Sequence, residues 1–147
     1  MVEIKRGPVI VAGQNRGYAK GTAVLGGRGT VYLSGAVGID PGTGQVPEAI
    51  GEQAQLALEA IKTRLAEYGS ELKYISHMWY YVRGAFPQAI AGDPDWPRVM
   101  GAVQDFWRNS CPEFLRENNP PASTLLGVTS LARPEFKLEI GVVAAIP

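Results

Sequence analysis

The rest of the chain is built around the sequence PPASTLLGVTSLARPEFKLEIGVVAAIP, residues 120–147. It predicts two strands, 124–131 and 136–146, joined by a short turn at Arg133-Pro134-Glu135. β-Branched and aliphatic residues dominate the first strand, and the second opens with apolar and polar residues in alternation. From Val142 onward the second strand is continuously apolar, which is typical of a strand buried on both faces.

Polar residues stand where these two strands begin. Ser123 and Thr124 open the first strand, and Glu139 lies near the start of the second. This placement predicts a site at one end of the sheet. From the residues alone, Ser123 is also a candidate for a strand-start or turn-capping role, and Glu139 for a surface ion pair.

Two segments upstream have apolar residues at helical spacing. The first helix is predicted from Pro47, in its first turn, to Gly69, which follows its end as the C′ residue. The second is predicted from about Pro97 to a break at Pro112, with a further turn up to Glu117. Its inward residues are expected to be Val99, Val103, Phe106 and Trp107.

The remaining segments predict strands and loops. The aromatic-rich run ISHMWYYVR, 75–83, predicts a strand, whereas 84–97, with its prolines and glycines, predicts a loop. Residues 2–6, 18–25 and 30–34 predict three N-terminal strands, and the glycine cluster 26–29 predicts that the last two pair as an antiparallel hairpin. The order strand, strand, strand, helix, strand, helix, strand, strand favours an α+β sandwich, a mixed sheet with two helices on one face.

Composition limits the function classes. The chain has 147 residues, the size of one domain, and 14 basic against 14 acidic side chains. A balanced charge gives no electrostatic basis for binding nucleic acid or an anionic membrane. A single cysteine, Cys111, excludes an intrachain disulfide and a cysteine-rich metal site. With no long apolar run, we expect a cytoplasmic protein that needs neither a membrane nor a metal.

Three segments then carry a family resemblance. They are VYLSGAVGIDPGTGQVP at 31–47, EQAQLALEAIKTRLAEYGSEL at 52–72, and PAST at 121–124 followed by KLEI at 137–140. From about residue 17 to 144 the chain resembles the Rid family, also called YjgF/YER057c-like, of reactive-intermediate imine and enamine deaminases. The resemblance implies a single chorismate-mutase-like domain, a homotrimer with a barrel-like core, small-molecule clefts between subunits and no cofactor.

The same resemblance assigns the site residues. Active deaminases of the family read Pro-Ala-Arg where this chain has Ser123, and that arginine binds the substrate carboxylate. They also carry two glutamates; Glu139 matches the first, whereas Gly141 occupies the place of the second, which positions the attacking water. An asparagine of their second helix corresponds to Met100. Ser123 and Glu139 are therefore the candidate catalytic residues.

Substrate-binding candidates follow from matched positions. Tyr18 matches the family's cleft tyrosine, and the pair Ser34-Gly35 is retained; Ser123, Thr124 and Lys20 complete the set. A buried tyrosine with a purely structural partner is the alternative for Tyr18. Arg16, Lys20 and Arg83 are candidate replacements for the cation that Ser123 lacks, with solvated surface as the alternative for each.

Two other side chains, His77 and Cys111, are chemically reactive. His77, the single histidine, lies within a predicted strand with no recognisable triad spacing around it. Cys111 precedes the helix-breaking Pro112, where a structural thiol is more common than a nucleophile. The aromatic residues around 79–81, 96 and 106–107 are expected in the core and subunit interface, or in part along a cleft.

The resemblance implies a hydrolase or deaminase that acts on a small reactive metabolite, such as an enamine, an imine or a related C–N bond. Because the arginine is replaced, we do not expect a standard 2-iminobutanoate or 2-iminopropanoate deaminase. The alternative is a non-catalytic family member that binds or senses a small molecule. RNA cleavage, reported for some relatives, is disfavoured by the balanced charge.

Overall fold

The computed structural model describes residues 1–116 and 119–147. These residues form seven strands and two α-helices. The strands are β1 (Val2–Val11), β2 (Gln14–Gly26), β3 (Gly29–Tyr32), β4 (Ala36–Val37), β5 (Ile75–Arg83), β6 (Ala122–Val128) and β7 (Leu138–Ile146). The helices are α1 (Ile50–Glu67) and α2 (Asp95–Ser110). The predicted order of elements is confirmed, with the two-residue β4 as an addition.

One mixed sheet contains all seven of these strands. Its order is β1-β2-β6-β5-β7-β3, and β4 also pairs with β7. Strand β6 runs parallel to both of its neighbours, β2 and β5, whereas the other pairs are antiparallel. The α+β sandwich predicted from the sequence is therefore confirmed. Neither described helix is long and apolar enough to cross a membrane.

The predicted hairpin at residues 26–29 is wrong. Strand β3 pairs with β7, with Thr30 opposite Ala145, while β2 pairs with β1 and β6. Glycines 26 and 27 do turn the chain, with φ of +77° and +91°, but they pass it to a distant strand. The true hairpin joins β1 to β2 through Ala12 and Gly13, both at positive φ as a type I′ turn requires.

The connection between β6 and β7 also differs from the prediction. Strand β5 lies between them, so residues 129–137 cross from one side of β5 to the other instead of closing a short turn. The first strand begins earlier than predicted, at Ala122, and the second begins later, at Leu138. Local turn residues such as Arg133-Pro134-Glu135 cannot reveal that a third strand will insert.

Helix α1 confirms its predicted apolar stripe and C-terminal cap. Gly69 adopts φ +73°, its N–H donates to Ala66 at 3.1 Å, and Ser70 N–H donates to Leu65 at 2.9 Å. This pair of bonds is a Schellman motif, which satisfies carbonyls that the helix end would leave unpaired. Pro47 lies before the helix and not in its first turn, because α1 begins at Ile50.

Helix α2 begins slightly before the predicted start and buries the four residues expected to face inward: Val99, Val103, Phe106 and Trp107. A 3-10 turn, Pro112–Phe114, follows it. The predicted end of that turn at Glu117 lies outside the described residues.

The sheet has two unlike faces. The face under the helices, the helix face, buries alternate residues of β5 and β7: Met78, Tyr80, Val82, Leu138, Ile140 and Val142. The opposite face, the open face, carries the residues between them: His77, Trp79, Tyr81, Glu139, Gly141 and Val143. Strand alternation thus separates a packed core from a half-buried aromatic surface.

A buried amide fixes the start of β7. Gln53 of α1 donates from Nε2 to the carbonyls of Pro47, at 2.8 Å, and Glu135, at 3.0 Å. Its Oε1 accepts from the N–H of Lys137 at 2.9 Å. Because Glu139 follows two residues later, this clamp holds the segment that presents its carboxylate.

Candidate functional site

A cavity of about 620 Å³ lies between α2 and β6, and we call it the α2–β6 cavity. Tyr18, Ser123 and Thr124, three of the predicted site residues, border it together. Ser123 stands opposite Met78 in the parallel β5–β6 ladder, so its side chain shares the helix face. Tyr18 is thus brought to one concave site with Ser123 and Thr124, which follow it by more than a hundred residues of sequence.

Thr124 connects the cavity to the open face. It pairs with Trp79, and its Oγ1 lies 3.1 Å from Nε2 of His77. The His77 ring in turn packs against Trp79, with ring centroids 4.1 Å apart. Partial burial lowers the pKa of His77 below its usual 6.5, which favours the neutral imidazole.

Aromatic side chains form the walls of the α2–β6 cavity. Tyr80 and Trp96 meet edge to face at 5.8 Å, and Trp107 and Phe114 do so at 4.8 Å. Burial raises the pKa of Tyr80, so its hydroxyl stays a neutral donor; it points to the sulfur of Met78 at 3.6 Å. Perpendicular pairs of this kind hold each other's ring orientation, so the walls are preformed.

Helix α2 and the preceding loop complete the cavity. Met100 borders it, at the position where the family resemblance places an asparagine of active enzymes. The long loop predicted at 84–97 ends earlier, because α2 begins at Asp95; the loop contributes Ala91 to the lining and the first turn of α2 contributes Trp96. Phe86 anchors that loop, because its ring occupies the space that a Cβ at Gly84 or Gly127 would fill, at 2.6 Å in both cases. The loop therefore has a role in shaping the site.

Of the three candidate cations, Arg16 borders the cavity. Arg83 is engaged elsewhere, since its Nη1 donates to the carbonyl of Pro134. Lys20, a predicted substrate-binding residue, lies along Gly7 of β1, with its Cε 3.0 Å from where a Cβ of Gly7 would stand. Among the described residues that line the cavity, Arg16 is the one charged side chain.

Gly35 and Glu139, also predicted site residues, lie elsewhere. They border a depression of about 450 Å³ on the open face, together with Tyr32, Trp79, Tyr81 and Gly141. A Cβ at Gly35 would lie 1.8 Å from Oε1 of Glu139, so the carboxylate rests directly against the backbone of Gly35. We call this the Gly35–Glu139 depression. Ser34, the neighbouring candidate, is exposed beside it.

One copy of the chain does not unite the two candidate catalytic residues. Ser123 belongs to the helix face and Glu139 to the open face, and strand β5 lies between their strands. A site that uses both groups needs two copies, with the cavity of one facing the depression of the other. The sequence pattern placed both near one end of the sheet but could not assign their faces.

Cys111 is buried. It is not among the described residues that line the α2–β6 cavity or the Gly35–Glu139 depression. Burial, reinforced by the neighbouring carboxylate of Glu113, raises the pKa of Cys111 to about 12. A thiol with so high a pKa is a poor nucleophile, because the thiolate is the reactive form.

Aromatic residues that the sequence placed in the core and subunit interface, or in part along a cleft, border the cavity, as does Phe114, which the sequence did not single out. Tyr80, Trp107 and Phe114 are at most 6% exposed, yet each borders it. A signal was present: Trp96, Met100 and Gln104 recur every four residues beside the buried stripe of α2. A helix that packs on one sheet needs a single stripe, so the second row of large side chains indicated an additional surface.

Comparisons with known proteins agree with this architecture. The family model described as Endoribonuclease L-PSP matches residues 14–146. YyfB from Yersinia pestis, a Rid-family protein of unknown function, is 20% identical, with a TM-score of 0.71 over 95% of this chain and 98% of that one. E. coli TdcF with bound serine is 22% identical, with a TM-score of 0.62 over 99% and 97%.

The E. coli YjgF gene product is likewise 22% identical, with a TM-score of 0.64 over 97% of this chain and 94% of its own. At such identities the solved structures establish a shared fold. No curated protein sequence matches the chain.

Proposed function

We propose, since this chain belongs to the Rid (YjgF/YER057c) family, that it hydrolyses a C–N bond of a small reactive metabolite such as an enamine or imine. The reaction takes place in a cleft between subunits of a homotrimer. The site differs from that of 2-imino-acid deaminases, because Ser123 and Gly141 replace their arginine and second glutamate. The observation that carries the proposal is the α2–β6 cavity, which gathers Tyr18, Ser123 and Thr124.

A small-molecule ligand is supported by a relative of the same fold. TdcF, which covers nearly the whole chain, was solved with bound serine. The α2–β6 cavity falls in the usual size range of ligand pockets, roughly 300–1,000 Å³. RNA is a less suitable substrate despite the name of the family model, because the net charge is zero and RNA binding depends on phosphate neutralisation.

The exposed aromatic residues of the open face support the proposed homotrimer. Tyr32 is 77% exposed there, and Trp79 and Tyr81 are only partly covered. A contiguous aromatic surface of this kind is a typical subunit interface. Three open faces turned inward would form the barrel-like core, and each subunit would bring its Gly35–Glu139 depression to the mouth of a neighbour's cavity.

The chemistry assigns a role to each side chain. Hydrolysis of an imine requires water to add to the C=N carbon while the nitrogen gains a proton; ammonia then leaves and a carbonyl remains. Glu139 of one subunit accepts the proton of the water, and the Ser123 or Tyr18 hydroxyl of the other donates a hydrogen bond to the substrate. The described lining of the cavity holds no carboxylate of its own, so this general base must come from the neighbour.

Imine hydrolysis is measured by semicarbazide trapping, with and without the protein. Amine oxidases generate imines without a carboxylate, and amino-acid oxidases generate the matching imino acids. We expect faster hydrolysis of at least one imine, a loss of about tenfold or more in Glu139→Gln, and little action on 2-iminopropionate. Lys5→Gln, on the exposed surface of β1, is the control. An undiminished Glu139→Gln protein would remove Glu139 from the mechanism.

Replacing the missing groups tests the divergence. Ser123→Arg together with Gly141→Glu should raise activity on 2-iminopropionate by about one to two orders of magnitude, since a charged hydrogen bond contributes roughly 1.5–3 kcal/mol. Gly141 accepts a side chain, because a Cβ there would meet Trp79 at ordinary distances of 3.8 and 3.9 Å. Wild-type activity on 2-iminopropionate equal to that of an arginine-containing relative would contradict the proposal.

The alternative function is binding without catalysis, as a scavenger or regulator. It is favoured by the absence of a general base in the described lining of the cavity. Mixed oligomers distinguish the two functions. Ser123→Tyr, which fills the cavity, and Glu139→Gln would each be inactive alone, yet an enzyme with a shared site regains part of its activity when the two are co-expressed.

A further inference from the structure

The size and lining of the α2–β6 cavity define a ligand class beyond the reaction type. Its volume, about 620 Å³, equals that of about twenty water molecules at roughly 30 Å³ each. A metabolite of serine or pyruvate size would leave most of this space unfilled. The walls are the perpendicular pairs Tyr80–Trp96 and Trp107–Phe114, which are large, apolar and preformed.

We propose that the cavity takes an aromatic anion, with the ring between these walls and the acid group on Arg16. The inference rests on the site of the proposed function but not on its chemistry. Apolar walls favour a ring over a small polar body, because burial stabilises by about 25 cal/mol per Å² of apolar surface. Rigid walls also spare the ligand the cost of ordering side chains on binding.

The charge of the cavity lining favours a ligand with an acid group. Arg16 on β2 is the one charged side chain among the described residues of the lining, and that lining contributes no acidic residue from the same chain. The guanidinium forms paired hydrogen bonds with a planar carboxylate. Arg16 lies on a different strand from Ser123, so the acid group is held at a place other than the one where the family's arginine would stand. This placement favours an acid group separated from the reacting carbon over an α-imino acid.

Calorimetric titration of the intact protein tests the class with four probes. Indole-3-acetate carries the ring and the acid, indole-3-ethanol the ring alone, tryptamine the ring with a cation, and serine the small polar body. We expect indole-3-acetate to bind about tenfold more tightly than indole-3-ethanol, and tryptamine and serine to bind more weakly than both. Equal or tighter binding of serine, or tighter binding of tryptamine, would overturn the proposal, as would no binding of any indole.

Variants separate the two contacts. Arg16→Gln should weaken indole-3-acetate by about three- to tenfold and leave indole-3-ethanol within twofold, because Arg16 is exposed and its charge partly screened. Trp96→Ala, at a half-buried position, should weaken both probes. Lys5→Gln, an equal loss of charge on the surface of β1, should change neither. If Arg16→Gln and Lys5→Gln changed the affinity for indole-3-acetate equally, Arg16 would not be the residue that binds the acid group.

Filling the cavity provides a further check. Met100→Trp should abolish binding of both indoles while the circular dichroism of the folded protein is retained; if it fails to fold, Trp96→Ala decides. Unchanged binding in both variants would place the probes outside the cavity. Binding of indole-3-acetate without hydrolysis of any imine would support this inference and reject the enzymatic function, so the two proposals fail separately.

Discussion

A single methyl group at residue 35 tests how Glu139 is held in the Gly35–Glu139 depression. In Gly35→Ala the new Cβ would lie 1.8 Å from Oε1, 2.6 Å from Cδ and 2.8 Å from Cγ of Glu139. The glutamate must therefore rotate away, because such distances are far below van der Waals contact. Gly35 has no left-handed φ, so the added Cβ brings no backbone strain.

The structure predicts a small effect on stability and a large effect on position. Moving a half-buried carboxylate off its preferred rotamer costs about 0.5–1.5 kcal/mol. Loss of glycine freedom in the unfolded chain offsets about 0.4–1 kcal/mol of that. The free energy of unfolding should thus change by less than about 1 kcal/mol. Imine hydrolysis should fall about tenfold or more, because the proposed mechanism needs the carboxylate in place.

Gly38 provides the matched contrast. A Cβ there would lie 2.4 Å from Cα and 2.6 Å from the carbonyl oxygen of Gln53, which are backbone atoms of α1 and cannot rotate away. Gly38→Ala should therefore destabilise by about 1–3 kcal/mol or more. Urea unfolding compares the two variants at one fixed protein concentration, because the proposed homotrimer would make the measured stability depend on concentration.

The double variant Gly35→Ala/Glu139→Ala completes the experiment. Truncating Glu139 removes the obstructing atoms, so Gly35→Ala should cost about 0.5–1.5 kcal/mol less in that background than in the wild type. If Gly35→Ala destabilises as strongly as Gly38→Ala, and truncation of Glu139 gives no relief, the contact between residue 35 and the carboxylate is not what excludes a side chain.

Three further expectations concern other groups. Cys111, with its pKa raised to about 12, should resist a thiol reagent at pH 8 in the folded protein and react once urea unfolds it; fast labelling of the native protein would contradict its burial. Because the pKa of His77 is lowered on folding, the unfolded chain binds its proton first, so stability should decline as pH falls below about 6.5. His77→Gln should flatten that slope between pH 7.5 and 5.5, and an identical slope would assign it to other groups. RNA should bind weakly and non-specifically at physiological salt, so saturable sub-micromolar binding would show that the surface charge has been misjudged.

The fold was predictable where one element shows its own periodicity. The sequence correctly predicts the stripe of α1, its Gly69 cap and the inward residues of α2, because helix burial repeats within the helix itself. The pairing of β3 with β7 was not, because glycines 26 and 27 specify a turn but not the strand that follows as partner. Non-local pairing is set by the assembled sheet.

The sequence named several residues that border the cavity or the depression, but it could not give their geometry. Matched positions named Tyr18, Ser123 and Thr124, which share one cavity, and also Glu139, which lies on the opposite face. Alternation shows that neighbours face opposite ways but not which face receives the helices. The choice of Arg16 over other cations likewise depends on distances that only the folded chain supplies.

The alternation along β7 also bears on how such a protein changes over time. Leu138, Ile140 and Val142 are at most 2% exposed and hold the core, while Glu139 and Gly141 stand between them on the other face. A mutation at residue 141 can therefore alter reactivity without disturbing core packing. A mutation at residue 140 would instead disturb core packing without altering reactivity. During evolution, substitutions on the open face of such a strand can change the chemistry, while the residues on its helix face keep the protein folded.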